Sequence, residues 1–176
     1  LNGKSLSFNN INDTNGALEL LKEFTEPTVV ACKHGNPCGV GSADTIEEAW
    51  KKAFAADKVS IYGGIVVSNR EINETIAKDM KSMFLAPSYT EGALKMLSFK
   101  KDGSMRNVRV LELADISEKQ PAEALDLKKV NGGLIVQNID SKLLDGDVKV
   151  VTEKAPTEKE MEDLLFAWKV VKFVPI

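Results

Sequence analysis

The chain has 176 residues, with 23 lysines and arginines against 26 aspartates and glutamates, and a formal net charge of −3. This length is typical of one domain that buries its own core without disulfides or metals. The acidic balance argues against a nucleic-acid partner, which needs a basic field to neutralise phosphates. No apolar run approaches the roughly 20 residues that span a membrane, and the first residues lack a signal-peptide pattern. The composition therefore predicts a cytoplasmic protein with no membrane partner.

Metal and redox chemistry would have to use two cysteines and a single histidine. Cys32 and Cys38 have five residues between them, a spacing that matches neither a CxxC redox motif nor the common zinc sites. A zinc site would have to combine both cysteines with His34 and a carboxylate. We therefore predict no catalytic metal.

Helices and strands are predicted to alternate along the first third of the chain. Apolar residues at helical spacing predict a helix over residues 14–24, with Asp13 as its N-cap. Residues 28–32 are apolar and β-branched, typical of a strand buried on both faces. The segment 33–39 is predicted as a loop, because glycine and proline disfavour regular structure. Residues 44–47 resemble a capping box that opens a second helix.

The remaining chain continues this alternation, apart from a polar segment over residues 114–130. Strands are predicted over residues 59–67, 108–113, 132–137 and 148–151, and helices over 74–84, 90–97 and from Thr157 onward. Trp50 and Trp168 lie on apolar helical stripes and are expected in the core. The pattern predicts an α/β fold of three layers with a mixed sheet, with residues 1–176 as a single domain.

Lys33 and His34 directly follow the first predicted strand. Ligands of open α/β sheets bind outside the carboxyl ends of strands, and this pair offers two proton-transfer groups and a positive charge. Neighbouring strand residues point to opposite faces, so both reach one site only if the strand ends there, as Gly35 and Pro37 indicate. On residue types alone, a surface lysine and a histidine bonded to loop backbone are the simpler interpretation.

Two other features are ambiguous on residue types alone. Cys38, between proline and glycine, is either a reactive thiol or a small side chain that packs and shapes the loop. The double glycine after Tyr62 either lets a ligand approach the backbone beside a flat ring or marks a bulge. The glycine spacings match neither the dinucleotide nor the P-loop fingerprint.

Six segments in order resemble the bifunctional purine biosynthesis family of AICAR transformylase/IMP cyclohydrolases. Residues 33–39, KHGNPCG, are similar to the family motif KHTNPCG, with Gly35 in place of threonine. Residues 60–66, SIYGGIV, resemble the family segment SAFGGIV. The other matching segments are residues 1–10, 86–89, 132–137 and 163–172.

The resemblance implies formyl transfer from the co-substrate 10-formyltetrahydrofolate to the 5-amino group of AICAR, a ribonucleotide monophosphate. It implies that His34 takes a proton from the attacking amine, while Lys33 supports the developing charge or protonates the folate leaving nitrogen. Which of the two is the acid stays open. Tyr62, Gly63 and Asn36 would bind the substrate, and no catalytic metal is implied.

The same resemblance implies a cytidine-deaminase-like fold, of which this chain would be the first of two similar halves, without the cyclohydrolase domain. Because the family builds its sites across a homodimer, the isolated chain is expected to have little or no transformylase activity. Between Met80 and Pro87 the chain is shorter than the family pattern. The family has an acidic residue near the substrate in this segment. This chain has no clear counterpart, and Ser82 is the nearest residue by position.

Two functions other than formyl transfer are also conceivable for this sequence. A nucleotide deaminase-like hydrolase is disfavoured, because Pro37 and Cys38 lack the second cysteine of the deaminase zinc set. The other is a zinc-free nucleotide-binding or dimerisation module. Bound zinc would favour the hydrolase, and nucleotide binding without turnover would favour the module.

Overall fold

The computed structural model describes residues 1–79 and 83–174. The chain divides into two compact units: residues 1–117 together with the C-terminal residues from Phe173, and residues 118–172. In chain order, the first unit contains α1 (Phe8–Leu21), β1 (Thr28–Lys33), β2 (Asn36–Ser42), α2 (Ile46–Ala56), β3 (Ile65–Ser68), α3 (Glu74–Ala77), β4 (Met83–Ala86), α4 (Glu91–Ser98) and β5 (Val110–Glu112). The second unit contains β6 (Leu125–Val130), β7 (Gly133–Asn138) and α5 (Glu158–Val171).

The first unit is built on a five-stranded mixed sheet in the order β2-β1-β3-β4-β5. β1 is antiparallel to both of its neighbours, and Cys32 lies opposite Ile65 of β3. β3, β4 and β5 are parallel to one another. The predicted α/β class with a mixed sheet is therefore confirmed.

The central strands are buried because helices cover the sheet. Val29 and Ala31 of β1 belong to a buried cluster that also contains residues of α2, α3 and α4, such as Trp50. Side chains alternate along a strand, so the equally buried Val30 and Cys32 face the other side. Helix α1 packs against β1 and β3. Burial on both faces explains why residues 28–32 read as a continuous apolar run.

Helix α2 lies in direct contact with the backbone of β2. A Cβ atom on Gly39 would lie 2.3 Å from the carbonyl oxygen of Ala53, and one on Gly41 would lie 2.3 Å from that of Ala49. Only glycine at these two positions allows the helix and the strand to approach so closely. The helix in turn holds the hairpin of β1 and β2 in place.

Two helix starts differ from the predictions. α1 begins at Phe8 rather than at residue 14, and its N-cap is Ser7, whose side chain shares a capping box with Asn10. The apolar stripe marked only the buried part of this helix, because its first turns are exposed to solvent. α2 begins after Thr45, whose side chain accepts a hydrogen bond from the backbone of Glu48; the predicted box was displaced by one residue.

Three segments differ in type from the predictions. Residues 36–39 are strand β2 rather than loop, because a two-residue turn pairs them with β1. Residues 59–63 form turns, so that the predicted strand 59–67 is confined to its end, β3. Within the described part of the predicted helix 74–84, the helix is limited to α3, and residues 83 and 84 belong to β4. Residues 80–82, including Met80 and Ser82, lie outside the described residues.

The second unit contains an antiparallel hairpin and one helix. All residues of β6 and β7 are exposed, and α5 contains no buried residue. Trp168 is therefore not a core residue: it is 54% exposed, and its indole nitrogen donates to the carbonyl of Leu143 at 2.8 Å. Residues 148–151, predicted as a strand, form no regular structure.

Candidate functional site

The first predicted site motif forms a tight hairpin turn. His34 and Gly35 connect β1 to β2, with φ angles of 54° and 76°. Two positive φ values in a two-residue hairpin define a type I′ turn, which favours glycine at its second position. Gly35, the departure from the family motif, therefore suits this backbone. β1 does end at Lys33, as the shared-site interpretation required.

Hydrogen bonds connect four of the predicted site residues in two pairs. The Nζ atom of Lys33 donates to the carbonyl oxygen of Tyr62 at 3.3 Å. The side-chain amide of Asn36 donates to the carbonyl oxygen of His34 at 3.4 Å across the turn. The Tyr62 side chain is 62% exposed, and His34 is exposed as well. Lys33 is thus attached to the loop before β3, while the imidazole faces solvent.

The double glycine brings that loop close to the end of β1. A Cβ atom on Gly64 would lie 2.7 Å from the carbonyl oxygen of Cys32, whereas one on Gly63 would meet nothing within 4 Å. Gly63 instead has a φ of 75°, which favours glycine for conformational reasons. Gly64 therefore allows the close approach of the two backbone segments, and Gly63 allows the turn.

A cavity of about 330 Å³ lies at the same edge of the sheet. It is lined by Asn10, Gly63, Gly64, Ile65, Met83, Asn107, Val108 and Arg109. These residues mark the amino ends of β3 and β4 and the approach to β5. Because β1 is antiparallel to β3, the carboxyl end of β1, with Lys33, lies at this edge too. Lys33 lies at the carboxyl end of β1, as predicted, whereas the parallel strands β3 and β4 present their amino ends there.

The sequence pointed to two of the residues that line this cavity, Gly63 and Gly64 of the double glycine. Asn10, Asn107 and Arg109 were missed, although they are polar residues that line the cavity. The Nε atom of Arg109 also donates to the carbonyl oxygen of Ser5 at 3.2 Å. The sequence offered one signal, because Arg109 is a cation at the start of the predicted strand 108–113. A charged residue at this position is equally typical of an ordinary surface position.

The two cysteines are packed rather than activated. Cys38 is the extra residue of a β-bulge, because Ala31 pairs with Gly39 and Cys32 with Pro37. Its Sγ atom donates to the carbonyl oxygen of Ala31 at 3.5 Å. Burial raises the pKa of both thiols, that of Cys32 to about 12. Both thiols are therefore protonated at neutral pH and poor nucleophiles.

The described ranges contain neither a group of metal-binding side chains nor a membrane-spanning helix. Within residues 1–79 and 83–174, no group of three or more histidine, cysteine, aspartate or glutamate side chains is placed to hold a metal ion. Among the helices of that same part of the chain, none has the length and apolar character needed to cross a membrane.

The fold and the site define an α/β protein with a polar cavity and a Lys-His pair at one edge of a mixed sheet. A sequence model of the AICARFT/IMPCHase bienzyme matches residues 1–175, and the chain belongs to this family. The resemblance derived from its motifs is thereby confirmed.

Individual relatives are similar over almost all of this chain. The bifunctional purine biosynthesis protein PurH of Acetivibrio thermocellus is 59% identical over 98% of this chain and 34% of its own length. The proteins of the same name from Ruminiclostridium cellulolyticum and Caldicellulosiruptor saccharolyticus are 55% and 53% identical, over 98% and 99% of this chain and 34% and 33% of their own lengths. The chain thus spans about one third of the length of these relatives.

Proposed function

We propose that this chain provides part of an AICAR formyltransferase in a bifunctional protein that also acts as IMP cyclohydrolase. The reaction would transfer a formyl group from 10-formyltetrahydrofolate to the 5-amino group of AICAR. The family match over residues 1–175 carries this proposal. The contact between Lys33 and Tyr62 supports it, because it joins the two motifs at one edge of the sheet.

Proton transfer is the chemistry that the Lys-His pair supports best. The amine of AICAR is conjugated with the ring carboxamide and is a weak nucleophile, so catalysis depends on positioning and proton transfer. His34 lies exposed in a turn, where its imidazole can accept a proton from the attacking amine. Lys33, held beside the Tyr62 carbonyl, would stabilise the developing charge or protonate the folate leaving nitrogen. No metal enters this scheme.

The loop before β3 supports a substrate-binding role. We propose that the exposed ring of Tyr62 and the backbone of Gly63 bind the imidazole of AICAR, and that Asn36 contributes from the hairpin. Gly63 and Arg109 are both among the residues that line the cavity. A guanidinium is suited to the phosphate of a ribonucleotide.

The finer architecture is part of the same proposal. Helices that cover both faces of the sheet support a three-layer, cytidine-deaminase-like fold, with residues 1–176 as the N-terminal half of a transformylase domain. The exposed apolar side chains of β6 and β7, among them Leu127 and Val136, support a homodimer. We also propose a cytoplasmic location, with no nucleic-acid or membrane partner.

The first test is calorimetric titration of the 176-residue chain with AICAR. We expect Lys33→Ala to weaken binding about tenfold, because a charge-assisted contact is worth roughly 1.5–3 kcal/mol. Lys52→Ala is the matched control. Lys52 lies on α2, away from the proposed site, and also donates to a backbone carbonyl, that of Ser42 at 2.8 Å. Equal affinities for wild type and Lys33→Ala, or equal weakening by Lys52→Ala, would contradict a nucleotide site at Lys33.

Turnover is tested with the chain in place of the matching third of the Acetivibrio thermocellus relative. We expect His34→Ala to lower kcat for formyl transfer by about 10²–10⁴-fold, the range for loss of a general acid or base. The isolated 176-residue chain is expected to show little or no turnover. An unchanged kcat in His34→Ala would refute the proposed role. AICAR binding without turnover in the chimera would favour the nucleotide-binding module.

A further inference from the structure

The loop between α2 and β3 is held by an aspartate that the proposed mechanism does not use. One carboxylate oxygen of Asp57 accepts hydrogen bonds from the backbone of Val59 at 3.0 Å and of Ser60 at 2.8 Å. The carbonyl oxygen of Asp57 accepts from the backbone of Ile61 at 3.2 Å. Asp57 therefore fixes the direction of the chain immediately after the helix.

The position of Asp57 is unfavourable for a carboxylate unless it has a local role. Asp57 is the C-cap of α2, where the helix dipole disfavours negative charge. Hydrogen bonds from the side chain and backbone of Ser60 hold the pKa of Asp57 below its usual range, with a smaller contribution from the positive charge of Lys33. The hydrogen bonds of the turn therefore offset the unfavourable interaction of the carboxylate with the helix dipole.

The capped turn determines where the Tyr62 carbonyl lies. The backbone of Tyr62 donates to the carbonyl of Val59 at 3.3 Å, and Gly64 donates to that of Ile61 at 3.2 Å. The loop therefore runs as consecutive turns from Asp57 to the start of β3. At its far end the Tyr62 carbonyl oxygen accepts from the Nζ atom of Lys33.

We propose that Asp57 is a positioning residue: by capping the turn that follows α2, it holds the Tyr62 carbonyl where the Lys33 ammonium donates to it. Asp57 thereby sets the place of Lys33 at the edge of the sheet without touching a substrate. The consequence for catalysis rests on the proposed formyl transfer. The positioning of Lys33 is a property of this chain and is measurable without turnover.

The test is competitive acylation of lysines in the 176-residue chain, with the rate at Lys33 followed by mass spectrometry. Asp57→Ala removes the cap, and we expect acylation of Lys33 to become about fivefold faster, the factor for loss of one ordinary hydrogen bond. Asp57→Asn keeps an acceptor oxygen and is expected to stay within about twofold of wild type, because asparagine caps such turns equally well.

Asp102 provides a matched control. Its carboxylate accepts from the backbone and the side chain of Ser104 at 2.9 and 2.7 Å in another loop, so Asp102→Ala removes a similar turn. We expect Asp102→Ala to leave the rate at Lys33 unchanged. An unchanged rate in Asp57→Ala, or an equal increase in Asp102→Ala, would overturn the proposal. If Asp57→Ala does not fold, a Lys33 rate in Asp57→Asn far above wild type would overturn it as well.

Catalysis is then compared in the chimera described above. Asp57→Ala is expected to lower kcat/KM for AICAR about fivefold, and Asp57→Asn to restore most of it. An inactive wild-type chimera would count against the proposed function, while the acylation rates would still decide the role of Asp57. A normal kcat/KM for AICAR in Asp57→Ala, despite faster acylation of Lys33, would overturn its catalytic consequence.

Discussion

At the scale of single residues, small side chains decide how closely the elements pack. Gly39 allows α2 to rest on β2, and Gly64 allows the loop before β3 to meet the end of β1. Both contacts bear on the candidate site, because they hold the hairpin and the Tyr62 loop together. Neither contact could be predicted from hydrophobic periodicity, because glycine has no side chain that would contribute to such a pattern.

Substitution of Gly39 by alanine is expected to destabilise the chain. Its Cβ atom would lie 2.3 Å from the backbone oxygen of Ala53, which cannot rotate away, and such overpacking costs about 1–3 kcal/mol. Gly16→Ala in α1 is the matched control: no atom lies within 4 Å of its Cβ position, so it should stabilise by roughly 0.5–1 kcal/mol. Urea denaturation of both variants measures the difference, and equal midpoints would contradict this contact.

The buried thiol of Cys32 predicts a loss of stability in alkali. Its pKa is raised from 9.0 to about 12, so the folded state keeps a proton that the unfolded chain releases. Its stabilising contribution is full below pH 9.0 and is lost as the pH rises towards about 12.

This alkaline effect is measured by comparing the free energy of unfolding of wild type and Cys32→Ala between about pH 9.5 and about pH 10.5. Wild type should fall more steeply, by up to about 1.4 kcal/mol per pH unit, the value for one proton. The half-buried Cys38 is the control, and Cys38→Ala should retain most of the wild-type slope. Parallel slopes for wild type and Cys32→Ala would show that this prediction is wrong.

At the scale of elements, α2 and α5 begin alike but depend on different forces. The Thr45 and Thr157 side chains both accept a hydrogen bond from the third helical residue. α2 also buries Ala49, Trp50 and Ala53, whereas α5 has no buried residue. A short helix without packing is marginal in water, so α5 depends more on its local cap.

Removal of the two caps separates these contributions. Loss of a threonine cap costs about 1 kcal/mol, so Thr157→Ala should speed amide hydrogen exchange in α5 about fivefold. Thr45→Ala should not cause a comparable local increase in the buried turns of α2, because their amides exchange only when the whole sheet unfolds. Exchange followed by mass spectrometry tests both variants. Unchanged rates in α5 of Thr157→Ala would mean that contacts other than the cap stabilise this helix.

At the scale of the whole molecule, the two units differ in how much they bury. β1, β3 and β4 are buried almost throughout, while every residue of β6 and β7 is exposed. An isolated two-stranded hairpin is marginally stable in water. The sheet of the first unit therefore contributes most of the free energy of folding, whereas the hairpin of β6 and β7 opens locally.

Hydrogen exchange is expected to reveal this difference within one sample. Amides of β6 and β7 should exchange at least about tenfold faster than those of β1 and β3, because local opening is easier where little apolar surface is buried. Gly39→Ala should lower protection in β1 and β3 and leave β6 and β7 unaffected. A parallel loss of protection in all four strands would mean that the two units unfold together.

Local sequence patterns predicted the elements with strong periodicity and the candidate motifs around Lys33 and Tyr62. The strand that ends at Lys33, the apolar face of α2 and the cap of α5 follow from neighbours in the chain, because burial on a sheet and capping of a helix leave short-range signatures. The family was evident from the same segments. The exposed Trp168 was misjudged, because an apolar stripe predicts burial only where another element covers it.

Only the tertiary structure decided which residues share the edge of the sheet. Asn10, Met83 and Arg109 come from distant parts of the chain and line one cavity, because β1 runs antiparallel to β3 and brings opposite strand ends together. The pairing direction of β1 and the order of the strands depend on contacts across tens of residues, which no local pattern encodes. The sequence by itself predicted Lys33 and His34 as a candidate pair; long-range strand pairing decided what lies beside them.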